Sequence, residues 1–495
     1  MSLEKYSLQF FTKGPSFWKD MIALLLAIGL SLLLFFFLKQ PMVSLSPLPI
    51  LLVAVWIIFP KLGPRSDQAI FLGFFILCFF IDDVAFAPWG TVNTFTKEMG
   101  IILFQSFGLT GIEVFAISFA ILCFIITSRE EHRRWIRLGI RPFLLIASLV
   151  FFSALIATGF GLITGGSLVT SLIQIRFMYL FPIWAFIGFV VLRDESYFRK
   201  IFFWLTMLMV FKSLQLIFNY MLNREVYAEA EYIYEHYFSA YLTVAMLQLL
   251  YWMWRRPEGL VKLICLLAFA LSMLAYILDA RRTSYVGIPF AIAILLFFLP
   301  KTFMRVYGRW IVTTVVFSGV ITAATWNLPA PFGLVGSLYR SFGQETGSGE
   351  PSYRDLENAN LFREVSMAPL TGLGFGKEFD EVYPLPSISH VYPRYKMIPH
   401  NQLLFAWSYG GPLTVASLSL LFVTMIALAG RLIYDEDMVG YRYLGIFCLF
   451  FFVQFFSYVF GDLGLQSNRN LLLGGLLMGG CFRLLMERKM ELGQC

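Results

Sequence analysis

Charge is what this chain has least of. Charged residues are 14% of the 495 and hydrophobic residues 58%, with a mean hydropathy of +0.73. A soluble domain carries about 25% charged residues, so a soluble globular protein is excluded. Cysteine forms no CxxC: Cys78, Cys123, Cys265, Cys448 and Cys481 lie in or beside apolar runs, and Cys495 is terminal. Neither a metal site nor a disulfide framework is indicated. Alternation is also missing. The apolar runs are continuous, which favours a helical bundle over a membrane barrel. There is no GxxxxGK[ST] and no dinucleotide fingerprint after a strand, so no nucleotide-binding motif is present. No internal repeat, inverted or parallel, of the transporter kind is visible. No cleavable leader is evident either: the first apolar run, Met21–Leu38, is too long and reads as an uncleaved helix.

What is there is a succession of apolar runs near the roughly 20 residues that cross a bilayer as a helix. The expectation is an all-α polytopic membrane protein with about fourteen helices (twelve to fourteen), at 18–38, 44–59, 68–82, 101–127, 143–164, 169–192, 200–222, 237–254, 260–280, 285–300, 309–326, 401–429, 443–460 and 464–485. One large loop separates the eleventh from the twelfth. This divides a single integral domain into an N-terminal bundle (1–327), a loop (328–400) and C-terminal helices (401–495).

The net charge of +7 does not indicate nucleic acid. The basic residues cluster in alternate connections: Lys61/Arg65, Arg129–Arg141, Arg193–Lys200, Arg255–Lys262, Lys301–Arg309, Arg431/Arg442 and Arg483–Lys489. The positive-inside rule puts those connections and both termini in the cytoplasm. The large loop, the acidic and aromatic segment Asn223–His236, the segment Asp82–Met99 with its Asp82-Asp83 pair, and Arg281-Arg282 then face outside. Acidic residues beside tyrosines in Asn223–His236 suit sugar binding, and equally a solvated turn with interfacial rings.

Ionisable groups inside apolar runs are functional hypotheses by default. Arg176 is expected about two turns below the outer end of its helix. Since arginine keeps its proton, it needs a permanent anion, a carbonyl cluster or a water-filled cavity; the anion would be a diphosphate headgroup, or a buried carboxylate such as Glu113. Lys212 and Glu113, expected near mid-membrane, could pair with each other or touch substrate. Arg281-Arg282 break the inside bias, although interfacial snorkelling also explains them. Arg469 near the last helix is ambiguous. The loop holds Tyr353-Arg354, Gly372-Leu-Gly-Phe-Gly376 and His390, and ends at Pro399-His400-Asn401. A histidine at a helix start is often a cap or structural hydrogen-bonder, but imidazole is also the usual general base near neutral pH.

Three stretches carry a resemblance. They are Arg282-Thr-Ser-Tyr-Val-Gly287, the loop from Tyr353-Arg354 to Pro369-Leu-Thr-Gly-Leu-Gly-Phe-Gly376, and His400-Asn401-Gln-Leu-Leu with Gly410-Gly411-Pro-Leu. With Arg176, over roughly residues 145–430, the chain resembles the O-antigen ligase and Wzy-type polymerase superfamily. It departs from the family in having Arg281 where Ser is frequent, which leaves open which arginine acts. The second glycine of the family's Gly-x-x-Gly is also shifted or replaced.

The resemblance implies a GT-C-like bundle in a bacterial inner membrane, with its active site facing the periplasm. It further implies a metal-independent, cofactor-free, inverting glycosyltransferase. Its partners would be an undecaprenyl-diphosphate-linked oligosaccharide, an acceptor glycan (lipid-linked or lipid A-core) and membrane lipids, with a chain-length regulator as a further candidate. Arg176 and Arg282, with Arg281, would bind the diphosphate, and His400 would accept the acceptor proton. Arg354, Asn401, Arg394 and Lys396 would bind substrate, and the loop glycines would turn tightly or approach a sugar. Polymerase is the favoured activity and ligase the alternative. A lipid-linked oligosaccharide flippase or a scaffold without chemistry are readings of other classes.

Overall fold

The computed structural model describes residues 66–80, 111–126, 140–222, 237–255, 259–279, 281–301, 323–327, 352–387 and 395–493, with four isolated positions between them. Among these residues the chain is all-helical. The helices are α1 (Ser66–Phe80), α2 (Gly111–Ile126), α3 (Arg141–Ile163), α4 (Leu168–Gln174), α5 (Arg176–Val191), α6 (Glu195–Leu222), α7 (Phe238–Arg255), α8 (Gly259–Asp279), α9 (Arg282–Phe298), α10 (Tyr353–Met367), α11 (Gln402–Tyr434), α12 (Arg442–Gly461) and α13 (Asn468–Glu491). Six of them (α3, α6, α8, α11, α12 and α13) are long and apolar enough to cross a membrane, and α4 with α5 makes a seventh if the bent pair is one span. The expected helices 18–38 and 44–59 lie outside the described residues, as do Asp82–Met99, Asn223–His236 and most of the helix expected at 309–326, whose described positions 313, 316, 320 and 323–325 are helical.

Two expectations need correction. The helix expected at 169–192 is broken at Ile175, where α4 and α5 meet at a bend of 52°. Arg176 therefore opens a helix instead of lying two turns inside one. The loop expected at 328–400 contains α10, a 15-residue helix. Ser352 and Asp355 form its capping box, each side chain taking the other's backbone N–H.

The core is built on α5 and α13, which run side by side in the same direction. Glycines let the two backbones touch: a Cβ on Gly479 would lie 1.9 Å from the Ala185 carbonyl oxygen, and one on Gly475 would lie 2.8 Å from that of Phe181. In lipid, where apolar faces gain nothing over acyl chains, such small-residue contact is a main source of helix association. Trp184 is fully buried between α5 and the aromatic rings of α1, including Phe71 and Phe74.

Side-chain pairs at the two ends of the bundle fix its polarity. At one end Arg193 meets Asp67 at 2.5 Å, Tyr443 donates to Glu195 at 2.9 Å, and Arg483 pairs with Glu487. Arg141 and Arg442 open helices, Arg255 closes one and Arg431 lies in the last turn of α11, all at this same end. At the other end lie the starts of α5, α9, α11 and α13 together with α10. Among the described residues, the basic connections and the expected site residues are thus at opposite ends of the bundle.

Gly479→Val is expected to separate α5 from α13. Overpacking of this kind costs about 1–3 kcal/mol. The expected readout is a lower melting temperature in detergent by fluorescence-detected size exclusion. Gly440→Ala, at a position where an added Cβ meets no atom within 4 Å, should leave it unchanged.

Candidate functional site

The site is organised by a break in α11. Gly411 sits at φ 67° and ψ −174°, outside helical space, and is followed by Pro412. A proline has no N–H, so the Ser408 carbonyl has no donor one turn ahead, and the kink releases the Tyr409 carbonyl as well. The glycine-rich segment takes both: Leu373 N–H donates to Ser408 O at 2.8 Å and Gly374 N–H to Tyr409 O at 2.9 Å. On its other side Phe375 N–H reaches Ala157 O of α3 at 3.2 Å. Gly374, at φ 81°, comes so close to Gly161 that a Cβ would lie 2.4 Å from its backbone. The glycines therefore serve backbone-to-backbone docking between α3 and α11, where the sequence had suggested a tight turn or contact with a sugar.

Gln174, the last residue of α4 and fully buried, fastens the same segment. Its Oε1 accepts from Gly376 N–H at 2.6 Å, and its Nε2 donates to Lys377 O at 2.8 Å and to Met397 O at 2.9 Å. One amide thereby ties the α4–α5 break to both strands of the loop that precedes His400.

α10 carries an unusual inner face. Glu357, Asn360, Leu361 and Glu364 recur at helical spacing and are all buried. A soluble amphipathic helix would place apolar residues there. Here the polar ones hold backbone: Asn360 exchanges two 2.8 Å bonds with Tyr383, and Glu364 accepts from Asp380 N–H at 3.0 Å. Burial raises the Glu364 carboxyl above the ordinary carboxylate range.

Glu357 accepts from His400 N–H at 2.9 Å, and both of its oxygens lie 3.2 Å from His400 Nδ1. A carboxylate only accepts, so in the neutral imidazole the proton sits on Nδ1 and the lone pair on Nε2. The Tyr353 ring packs edge-on to the imidazole at 5.8 Å, and burial holds its phenol protonated far above neutral pH. The His400 side chain is 17% exposed, against 1% for Glu357.

The remaining expected site residues divide as follows. Arg354 donates to Gly461 O at 3.0 Å, meeting the carbonyl end of α12 where a cation is favoured. Gly461 in turn faces Thr283 of α9, and Gln454 of α12 donates to Ser284 O at 3.0 Å. Arg281 is the half-buried N-cap of α9, the helix whose first turn packs against the α12 end that Arg354 binds. Arg282 opens α9, and its side chain is outside the described portion, as is the whole of Arg394. Asn401 caps α11 by accepting from Leu404 N–H at 3.1 Å. Lys396 pairs with Glu381 at 3.2 Å, which raises its pKa.

Arg176 is 7% exposed, and its Nε donates to Glu113 Oε1 at 2.7 Å. Tyr179 donates to the same oxygen at 2.5 Å. The anion that Arg176 requires is therefore within the protein. The expectation of Glu113 near mid-membrane is corrected, since Glu113 lies in the first turn of α2, and of the roles left open for it the structure has the pair with Arg176.

Sequence reasoning missed Glu357 and Gln174. The signal for Glu357 was available, since Ser352-x-x-Asp355 announces a helix start and puts Glu357, Asn360/Leu361 and Glu364 on one face. Nothing local distinguishes Gln174. Among the described residues no group of three or more His, Cys, Asp and Glu could hold a metal ion.

No protein-family model matches the sequence, and no curated protein matches it. The class defined on these grounds is a helical protein with several spans long and apolar enough for a membrane.

Two outcomes test the loop anchoring. Gln174→Ala leaves the buried Gly376 N–H unpaired, a loss of about 1–3 kcal/mol, and removes the bonds to the part-buried Lys377 and Met397 carbonyls. Amide exchange at 373–377 should accelerate before the bundle melts. Glu364→Gln should stabilise the loop at neutral pH. A buried acid with raised pKa is stabilising below its unfolded pKa, and that contribution is lost as pH rises through the folded one. The variant should therefore flatten the fall in loop protection above mildly acid pH, read by the same exchange measurement.

Proposed function

We propose that this chain is an inner-membrane glycosyltransferase that moves glycan from a polyprenyl diphosphate to an acceptor sugar hydroxyl at the periplasmic face. The observation that carries the reading is the His400–Glu357 pair. It combines a partly exposed imidazole, a buried carboxylate on Nδ1, and a position at the bundle end away from the basic connections. The residue pattern shared with O-antigen ligases and Wzy-type polymerases supports it, and a fourteen-span GT-C-like architecture belongs to the same proposal.

In this scheme Glu357 holds His400 with Nε2 toward the acceptor. The acceptor O–H proton passes to Nε2 as the oxygen bonds to the anomeric carbon. The bond from that carbon to the diphosphate oxygen breaks with its electron pair, inverting the centre. Negative charge then grows on the leaving phosphate, where Arg281 and Arg282 at the start of α9 offer stabilisation. Arg176, with Glu113 on its Nε, has a supporting part and keeps the α4–α5 break in place under Gln174. Arg354, Asn401 and Lys396 act by shaping the loop. Polymerisation of repeat units is the preferred reaction, and ligation to lipid A-core is the alternative.

His400→Ala should lower transfer by about 10²–10⁴-fold, the usual worth of a general base. Glu357→Gln should lose less, with protein level and membrane insertion normal in both. The assay is extension of a lipid-linked donor by purified protein. Full activity in His400→Ala would sink the assignment. Deletion with surface-glycan analysis separates the two reactions: single repeats still on lipid A-core mean polymerase, and no attached repeats mean ligase.

A further inference from the structure

The glycine-rich segment has two properties that a loop above the membrane does not need. The first is its backbone. Five consecutive amides are satisfied by protein acceptors: Gly372 N–H by Ala368 O, Leu373 by Ser408 O, Gly374 by Tyr409 O, Phe375 by Ala157 O and Gly376 by Gln174 Oε1. In water such a strip leaves some donors to solvent. At membrane depth irregular backbone is tolerated only where protein satisfies it.

The second is its level. α3 exposes apolar side chains along its length, among them Phe152, Ile156 and Ile163. From Arg141, the charged residue at its other end, Ala157 stands about 24 Å along the axis and Gly161 about 30 Å, at 1.5 Å per residue. A hydrocarbon core is about 30 Å thick. The contacts of Phe375 with Ala157 and of Gly374 with Gly161 therefore fall at the outer boundary of that core or just inside it. On α11, Gly411 touches the Leu370 carbonyl and lies about 30 Å from Arg431, which gives the same level from a second helix.

At this level the segment turns apolar side chains outward. Leu370 is 80% exposed and Met367 is 67% exposed. Trp407 of α11, itself partly exposed, donates to Pro369 O at 3.2 Å, and Leu413 continues the exposed apolar surface down the same helix. Tryptophan belongs at the headgroup level, with aliphatic chains below it.

We propose that residues 367–376 form a re-entrant wedge at the acyl–headgroup boundary of the bilayer, with Leu370 and Met367 against lipid acyl chains. The surface is continuous with the lipid-facing sides of α3 and α11, and its occupant is lipid. The wedge would set the depth of His400, because Gln174 bonds both Lys377 and Met397 and so links its end to the residues before the histidine. The inference needs the chain to span a membrane but does not depend on glycosyl transfer.

The test is nitroxide depth measurement in vesicles of phosphatidylethanolamine and phosphatidylglycerol. Leu370→Cys and Glu378→Cys are labelled in a Cys495→Ser background, where the other described cysteines are buried. Both positions are exposed, so neither substitution removes packing. The expected result is that the label at 370 collides more with dissolved oxygen than with a water-soluble nickel chelate, and that the label at 378 shows the reverse. Preference for the chelate at 370 would place the loop in water. Poor access by both probes would place it under protein. Either result overturns the proposal.

Discussion

The kink at Gly411-Pro412 is the constraint from which the rest of this end of the bundle follows. A helix that continued straight would satisfy its own carbonyls and offer nothing to a loop. By withholding one donor and turning through a conformation that favours glycine, α11 presents Ser408 O and Tyr409 O to Leu373 and Gly374. The glycine-rich segment then needs a second wall, and α3 supplies it at Ala157 and Gly161. A third anchor comes from Gln174, at the break between α4 and α5. Two interrupted helical elements and one continuous helix thus share one irregular segment.

That arrangement explains how a polar loop comes to hold a histidine at a defined place. α10 uses its inner face for hydrogen bonding: Glu364 and Asn360 hold the chain between 380 and 383, and Glu357 holds His400. Tyr353 covers the imidazole, and Arg354, the next residue, fastens α10 to the carbonyl end of α12. The start of α9 is held to that end of α12 because Gln454 and Gly461 of α12 pack against Ser284 and Thr283. Positioning of His400 therefore rests on contacts from α4, α10 and α12, none of which adjoins it in sequence.

Much of the bundle was legible from composition and charge. Continuous apolar runs imply helices because no other open structure satisfies its backbone in lipid, and where the expected helices fall on described residues those residues are helical, apart from helix ends and the break at Ile175. The alternation of basic connections correctly separated the two ends. The broken span at Ile175 was not legible, since Gln-Ile-Arg is apolar enough in context to read as continuous helix. α10 was not legible as a helix by hydropathy because its buried face is polar, although its capping box is plain in the sequence. Arg176 was correctly marked as needing an anion, and Glu113 was among the partners considered. Choosing between Glu113 and a ligand required knowing that α2 and α5 begin at the same level.

Residue type and order were sufficient for the properties that depend on transfer between water and lipid segment by segment: the helical class, the succession of apolar segments, and the end of the bundle to which the basic connections belong. Those follow from free energies that each segment bears alone. The partner of each buried polar group is a different kind of quantity. Gln174 with Gly376, Glu357 with His400, and Leu373 with Ser408 are pairings across tens to hundreds of residues. They exist because folding removes water and leaves a donor facing the nearest acceptor. That distance is a property of packed helices, and no stretch of the chain encodes it locally.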